Sequence, residues 1–285
     1  MAEGGNRPRV SRRREVSHAS ARSLLVTMLG EFVLPRGEPV WTSTFVHMLA
    51  RFGIEEKAAR QALTRAASEG WIVSERAGRR VRWQLTAPGR RLLTEGAERI
   101  YGFGRAQQDW DRRWLILLVS IPDSQRDLRH RVKSQLSWAG FGSPTPGVWV
   151  SPDTTPPPEA EKIIAELKDG GQAMSFVAAH GDVSDEVDMV AKAWDLTGLE
   201  ANYEAFIDEF TGLKPRAGDA TFDALVRLVH EWRRFPFLDP GLPRDLLPAR
   251  WSGEQAARLF HKQYDQWRER AVRYWETVAD AEEAA

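Results

Sequence analysis

Five side chains able to donate to a polyanion fall close together in this sequence: Lys57, Arg60, Gln61, Thr64 and Arg65. On a helix they share one side, with Arg65 near its boundary. Ala59, Ala62, Leu63 and Ala66, spaced i, i+3, i+4 and i+7, form an apolar stripe opposite them. Such a face suits a nucleic-acid groove, because an arginine fork matches guanine, an amide matches adenine and a hydroxyl serves a base or a phosphate. A second basic group, Arg79, Arg80 and Arg82, flanks a Gly78 turn, where it would lie along a phosphate backbone and supply affinity rather than sequence information. Thr42 and Ser43 precede a predicted helix and suit either a phosphate or simple N-capping. A solvated surface helix would show the same pattern as Lys57 to Arg65, so the neighbouring elements must decide.

Those elements are ordered as a DNA-reading module requires. Apolar residues at Leu24, Leu25, Met28, Leu29 and Phe32 predict a helix over 21–32, ended by Pro35, Gly37 and Pro39. A second helix is expected over 44–51, a tight turn at Gly53, and a third helix over 55–69, closed by Gly70. Two strands, 71–75 and 81–85, form a hairpin, with Val81, Trp83 and Leu85 on one face. Helix, helix, turn, helix, hairpin is the order of a winged helix-turn-helix. A helix over 88–101 follows. From Trp114 the rhythm becomes strand (114–121), helix (124–138), strand (147–150), helix (157–167) and strand (174–178), which predicts a ferredoxin-like domain. Beyond Asp185 the pattern is helical. The fold class is therefore α+β, in five segments: a disordered basic arm (1–20), the winged helix-turn-helix (21–105), the ferredoxin-like middle domain (106–182), a helical C-terminal domain (183–278) and a frayed Ala/Glu tail (279–285).

Charge agrees with this division. The net charge is zero, yet residues 1–90 hold 16 Lys and Arg against 8 Asp and Glu, so the remainder is acidic. With no Cys, neither a disulfide nor a thiolate metal site can form, which fits a cytoplasmic protein. The polar, Arg-rich start is no secretory signal, and no apolar run approaches the ~20 residues of a membrane helix. The six His show no paired metal spacing, Tyr101-Gly102-Phe103-Gly104 lacks the setting of a dinucleotide site, and no phosphate-binding loop or nucleophile elbow occurs. No catalytic residue, metal or cofactor is expected.

The sequence resembles the PaaX family. The likeness lies in Leu24-Leu25-Val26-Thr27 with Gly30, Ala59 to Arg65, Glu69-Gly70-Trp71, Arg76 with Gly78-Arg79-Arg80, Leu85-Thr86 with Gly89, and Arg99-Ile100-Tyr101. It continues through Trp110-Asp111 with Trp114, Trp138 to Gly142, Gly147 to Val150, Trp194-Asp195-Leu196, and the block from His230 to Pro243 followed by Leu246-Leu247-Pro248. The resemblance implies a repressor of aromatic-acid catabolism, phenylacetate degradation being the name-giving case. It further implies a homodimer on a palindromic double-stranded operator, released by an aryl-coenzyme A thioester. One departure stands out: Glu55 opens the third helix where a capping Ser is expected.

For that effector, Trp232, Arg233, Arg234 and Phe235 offer arginines for phosphates beside aromatic rings. The same block also reads as a buried hinge fixed by Pro236, Pro240 and Pro243, while Trp138 and Trp149 read as packing residues. A second functional reading comes from the middle domain, which is similar to small CRISPR-associated ferredoxin-like ribonucleases. Asp123, with Asp127 and His130, could then serve a metal-dependent nuclease, although Asp123 better suits a helix cap.

Overall fold

A computed structural model describes residues 20–105, 110–155, 158–167 and 170–284. The basic arm, apart from Ser20, lies outside the described residues. Two compact units result: Met1–Thr94 together with Val272–Ala285, and Glu95–Ala271.

In the first unit, α1 (Ala21–Met28) starts at Ser20, whose hydroxyl accepts from the Ser23 N–H at 3.1 Å. It runs on through a π-helical turn (Leu29–Val33) into α2 (Leu34–Arg36), so the helical path ends at Gly37 rather than at Pro35. Gly37 takes φ 73°, which costs a residue without Cβ little. β1 (Val40–Trp41) leads straight into α3 (Thr42–Ala50), which turns at Gly53 into α4 (Glu56–Ser68). The hairpin β2 (Ile72–Ala77) and β3 (Arg80–Leu85) follows, and β1 adds to it in the antiparallel order β1-β3-β2. β1 is too short for a period-2 signal. Its pairing, Val40 opposite Trp83 and Trp41 opposite Arg82, is what fixes it.

α5 (Ala87–Gly102) is seated by its first turn. The Thr86 hydroxyl donates to the Trp71 carbonyl at 3.1 Å and accepts from the Gly89 N–H at 3.0 Å. A Cβ at Gly89 would stand 2.0 Å from the Trp71 carbonyl oxygen. Alanine improves helix propensity by up to about 1 kcal/mol, but a backbone oxygen cannot yield as a side chain can. Gly89→Ala is expected to destabilise the first unit by about 1–3 kcal/mol, read as a lower urea midpoint; an unchanged midpoint would contradict the packing.

The second unit begins with a βαββαβ module: β4 (Arg113–Ser120), α6 (Arg126–Trp138), β5 (Gly142–Thr145), β6 (Val148–Ser151), α7 (Pro158–Glu166) and β7 (Gln172–Ala179). The antiparallel sheet has the order β5-β6-β4-β7, which is the ferredoxin-like arrangement. β5 escaped the sequence pattern because Gly-Ser-Pro-Thr has no apolar alternation. An edge strand tolerates its proline. One sheet face, with Leu115, Leu117 and Trp149, is packed with Val132, Leu136 and Ile163 of the two helices. The other face carries Trp114 and Val150 and packs with Val190 and Leu246. α8 (Glu186–Ala193), α9 (Leu196–Phe210), α10 (Gly218–Trp232), α11 (Phe235–Leu238) and the long α12 (Gly253–Ala284) complete the chain. Phe206, Phe222, Trp232, Phe235 and Phe260 are each buried in the helical core of this unit.

α12 departs from expectation at its end. Residues 279–284 are helical where fraying was predicted, and the helix from Val272 onward belongs to the first unit. Trp275 explains this: it is 1% exposed, stacked on Phe32 at 4.9 Å and edge-on to Phe45 at 5.9 Å.

Candidate nucleic-acid interface

α4 owes its position to its small apolar stripe. Ala59, Ala62, Leu63 and Ala66 are all buried, and α4 packs closely against α1 and α3. Lys57, Arg60, Gln61, Thr64 and Arg65 are exposed on the other side and line one open surface. The Thr64 hydroxyl donates to the Arg60 carbonyl at 3.0 Å, which keeps it near the helix. Arg60 reaches Glu56 at 2.7 Å. An exposed i,i+4 pair contributes only about 0.3–0.5 kcal/mol, so a phosphate or a guanine edge can displace the carboxylate. Glu55 is the N-cap and makes no capping hydrogen bond through its side chain.

The hairpin tip is a two-residue turn, Gly78-Arg79, with Gly78 at φ 63°. Arg79 is exposed there. Its neighbours already have intramolecular partners. Arg80 lies 3.9 Å over the Trp41 ring and donates to the Glu282 carbonyl. Arg82 forms a cross-strand fork with Glu75 at 3.0 and 2.8 Å, and its hydrogen bonds hold the Glu75 carboxyl below its usual range. Thr42 departs from the phosphate-binding expectation. It is 8% exposed, and its hydroxyl donates to the Val81 carbonyl and accepts from Trp83 Nε1, both at 2.9 Å. It therefore ties α3 to β3. Ser43 is half-buried in the first turn of α3.

Three consecutive family models match the chain: PaaX-like protein over residues 20–89, the PaaX protein central Cas2-like domain over 107–190, and the PaaX-like protein C-terminal domain over 194–277. The transcriptional repressor PaaX of Escherichia coli (strain K12) is 32% identical over 255 residues, 84% of this chain and 78% of the relative. The chain belongs to the PaaX family. The uncharacterized protein Rv0674 from Mycobacterium tuberculosis shares the fold at a TM-score of 0.61 and 20% identity, covering 93% of this chain and 99% of that one.

In this PaaX-family chain the residues expected to hold an effector are mostly structural. Trp232 is 0% exposed, stacks on Phe260 at 4.6 Å and donates from Nε1 to the Ile100 carbonyl at 3.1 Å. Phe235 is 1% exposed and stacks on Tyr203 at 4.2 Å. Both rings fill the helical core, so no aromatic slot lies between them. Arg233 is half-buried, with its pKa lowered by that burial, and Arg234 pairs with Glu231 at 3.0 Å. Trp149 is buried as expected, whereas Trp138 is 69% exposed and packs far less than its sequence context suggested.

The nuclease constellation does not assemble either. α6 begins at Arg126 with Gln125 as its cap, and the fully exposed Asp123 carboxylate neither caps it nor joins a metal cluster, but pairs with Arg129 at 2.6 Å. Among the described residues no three His, Cys, Asp or Glu gather to hold a metal ion, and no helix is long and apolar enough to cross a membrane.

Sequence reasoning missed Trp41, whose ring lies under Arg80 and whose Nε1 donates to Glu283 at 2.5 Å. It also missed Arg36, which reaches Glu38 and, at 2.9 Å, Asp280. The only signal for these contacts was the acidic composition of the C-terminal tail.

Proposed function

We propose that this protein is a DNA-binding transcriptional repressor acting in the cytoplasm on an aromatic-acid catabolic operon of the phenylacetate type, a regulator rather than an enzyme. Its first unit works as a winged helix-turn-helix: α4 enters the major groove and the β2–β3 hairpin follows the backbone. The observation that carries this is the exposed face of Lys57, Arg60, Gln61, Thr64 and Arg65 on a helix anchored by buried alanines. The order β1-β3-β2, which places a strand before α3 beside the hairpin, supports it. The test is a mobility-shift assay on DNA upstream of the protein's own operon. Expected is specific binding at about 10⁻⁸–10⁻¹¹ M, at least ~10³ tighter than to random DNA. Equal affinity for both would overturn the assignment.

Repression requires a homodimer on a palindromic site, because one α4 reads too few base pairs, and the two copies would stand about 34 Å apart. The sheet supplies a surface for this. β7 is an edge strand with Met174, Phe176 and Val177 exposed at 60%, 51% and 48%. Among the described residues this edge has no neighbouring strand, and such an apolar edge invites pairing with a second copy. Light scattering is expected to give a dimer for the native chain and a monomer for Phe176→Glu, with weaker operator binding in the variant. A native monomer, free and on DNA, would remove the dimer. A dimeric variant would move the interface to the helical region.

The aryl-coenzyme A thioester is the effector in this reading. It lowers operator affinity by binding the DNA-free conformation more tightly, and a 100-fold loss needs about 2.7 kcal/mol of coupling.

A further inference from the structure

The second unit holds a cleft of about 180 Å³ whose lining includes Arg99, Trp138, Trp194 and Phe237. We infer that this cleft receives the single aromatic ring of the effector, with Arg99 facing the polar group attached to that ring. The inference rests on the effector reading above and places its site.

The aromatic walls are open. Trp138 and Phe237 are 69% and 43% exposed, with ring centres 6.2 Å apart and planes tilted by 60°. Two neighbouring aromatics so exposed gain most when a flat apolar group covers them. The floor is rigid. Trp194 donates from Nε1 to the Gly140 carbonyl at 3.3 Å, and its ring is packed so closely that a Cβ at Gly142 would stand 2.4 Å from it. Arg99 is held in place, donating to the Pro236 carbonyl at 2.9 Å with its guanidinium 4.4 Å from the Phe237 ring centre. That bond uses one of five N–H donors of a guanidinium.

Charge favours an anionic or carbonyl group at Arg99. The acid in the cleft wall, Asp239, is already committed: it accepts from the Tyr203 hydroxyl at 2.6 Å and from the Gly241 N–H at 2.7 Å. Size sets the ligand class. A cavity of about 150 Å³ suffices for one benzene ring, whereas sites that enclose drug-sized ligands start near 300 Å³. The cleft thus takes one ring, and a nucleotide-sized tail must lie outside it. Its walls are drawn from α5, α6 and the segments at Trp194 and Pro236 to Pro240, while Trp232 and Phe235 lie buried in the core.

Calorimetry on the full chain would use phenylacetyl-CoA, phenylacetate, acetyl-CoA and coenzyme A, with operator affinity measured in parallel. Phenylacetyl-CoA is expected to bind at least tenfold tighter than acetyl-CoA, which carries the same tail without the ring. Trp138→Ala and Phe237→Ala are expected to lose at least tenfold in that affinity while binding operator normally in its absence, which certifies their folding. Operator-competent variants that bind phenylacetyl-CoA like the native chain overturn the cleft and leave the effector reading intact. A native chain that binds none of the four overturns both. Phenylacetate binding that equals the thioester's and is lost in Trp138→Ala supports the cleft and names the free acid as its source.

Discussion

Replacing Arg60 and Arg65 together by alanine is expected to abolish selective operator binding without unfolding the protein. Both side chains are exposed on α4, and neither belongs to the stripe that anchors the helix. Among the described residues, the Arg60–Glu56 pair at 2.7 Å is the ion pair that the change removes. Its contribution of about 0.3–0.5 kcal/mol is offset by the higher helix propensity of alanine. A bidentate contact to guanine discriminates by about 1–3 kcal/mol, so two lost contacts amount to roughly 30- to 10⁴-fold on the cognate site. Random DNA would lose less, through charge alone. Arg79→Ala, at the exposed hairpin tip, should behave differently. It should weaken all sequences alike and flatten the dependence of log K on log salt by about one. Fluorescence anisotropy on operator and scrambled duplexes across salt separates the two patterns. Unchanged operator affinity in the folded double variant would refute the role of α4.

The legible part of this structure was the part built from local periodicity. The stripe Ala59-Ala62-Leu63-Ala66 announced both a helix and its buried side, and Val81-Trp83-Leu85 announced β3. Other features depend on partners far away in sequence. β1 exists because Val40 and Trp41 meet Trp83 and Arg82, and Thr42 is buried because β3 offers it a carbonyl and an indole N–H. The block around Trp232 contained the residue types of a ligand slot, but residue type does not say which rings face inward. Trp232 and Phe235 meet Phe260 and Tyr203, whereas Phe237, two positions on, is exposed beside Trp138. The family likeness was legible throughout because it rests on residue identity and not on contact.

Trp275→Ala is expected to destabilise the first unit by about 3–5 kcal/mol, the cost of truncating a buried aromatic. Local periodicity does not mark a residue near the C-terminus as part of the first unit, yet Trp275 is 1% exposed against Phe32 and Phe45. Around it lie weaker links. Tyr274 accepts from Arg51 at 3.2 Å, Asp280 pairs with Arg36 at 2.9 Å, and Glu283 accepts from Trp41 Nε1. The Asp280 carboxylate is 66% exposed, so its pair contributes about 0–1 kcal/mol. Burial therefore dominates, and Asp280→Ala should leave the unfolding midpoint nearly unchanged. For a domain stable by about 5–15 kcal/mol in all, the Trp275 change removes a large share of the margin. Urea unfolding should show the first unit melting earlier in Trp275→Ala, with operator binding lost at concentrations where the second unit remains folded. A chain ending at Ala271 should behave the same way, since it lacks the whole segment. If that chain binds operator like the full one and keeps its midpoint, the last turns of α12 contribute nothing to the first unit.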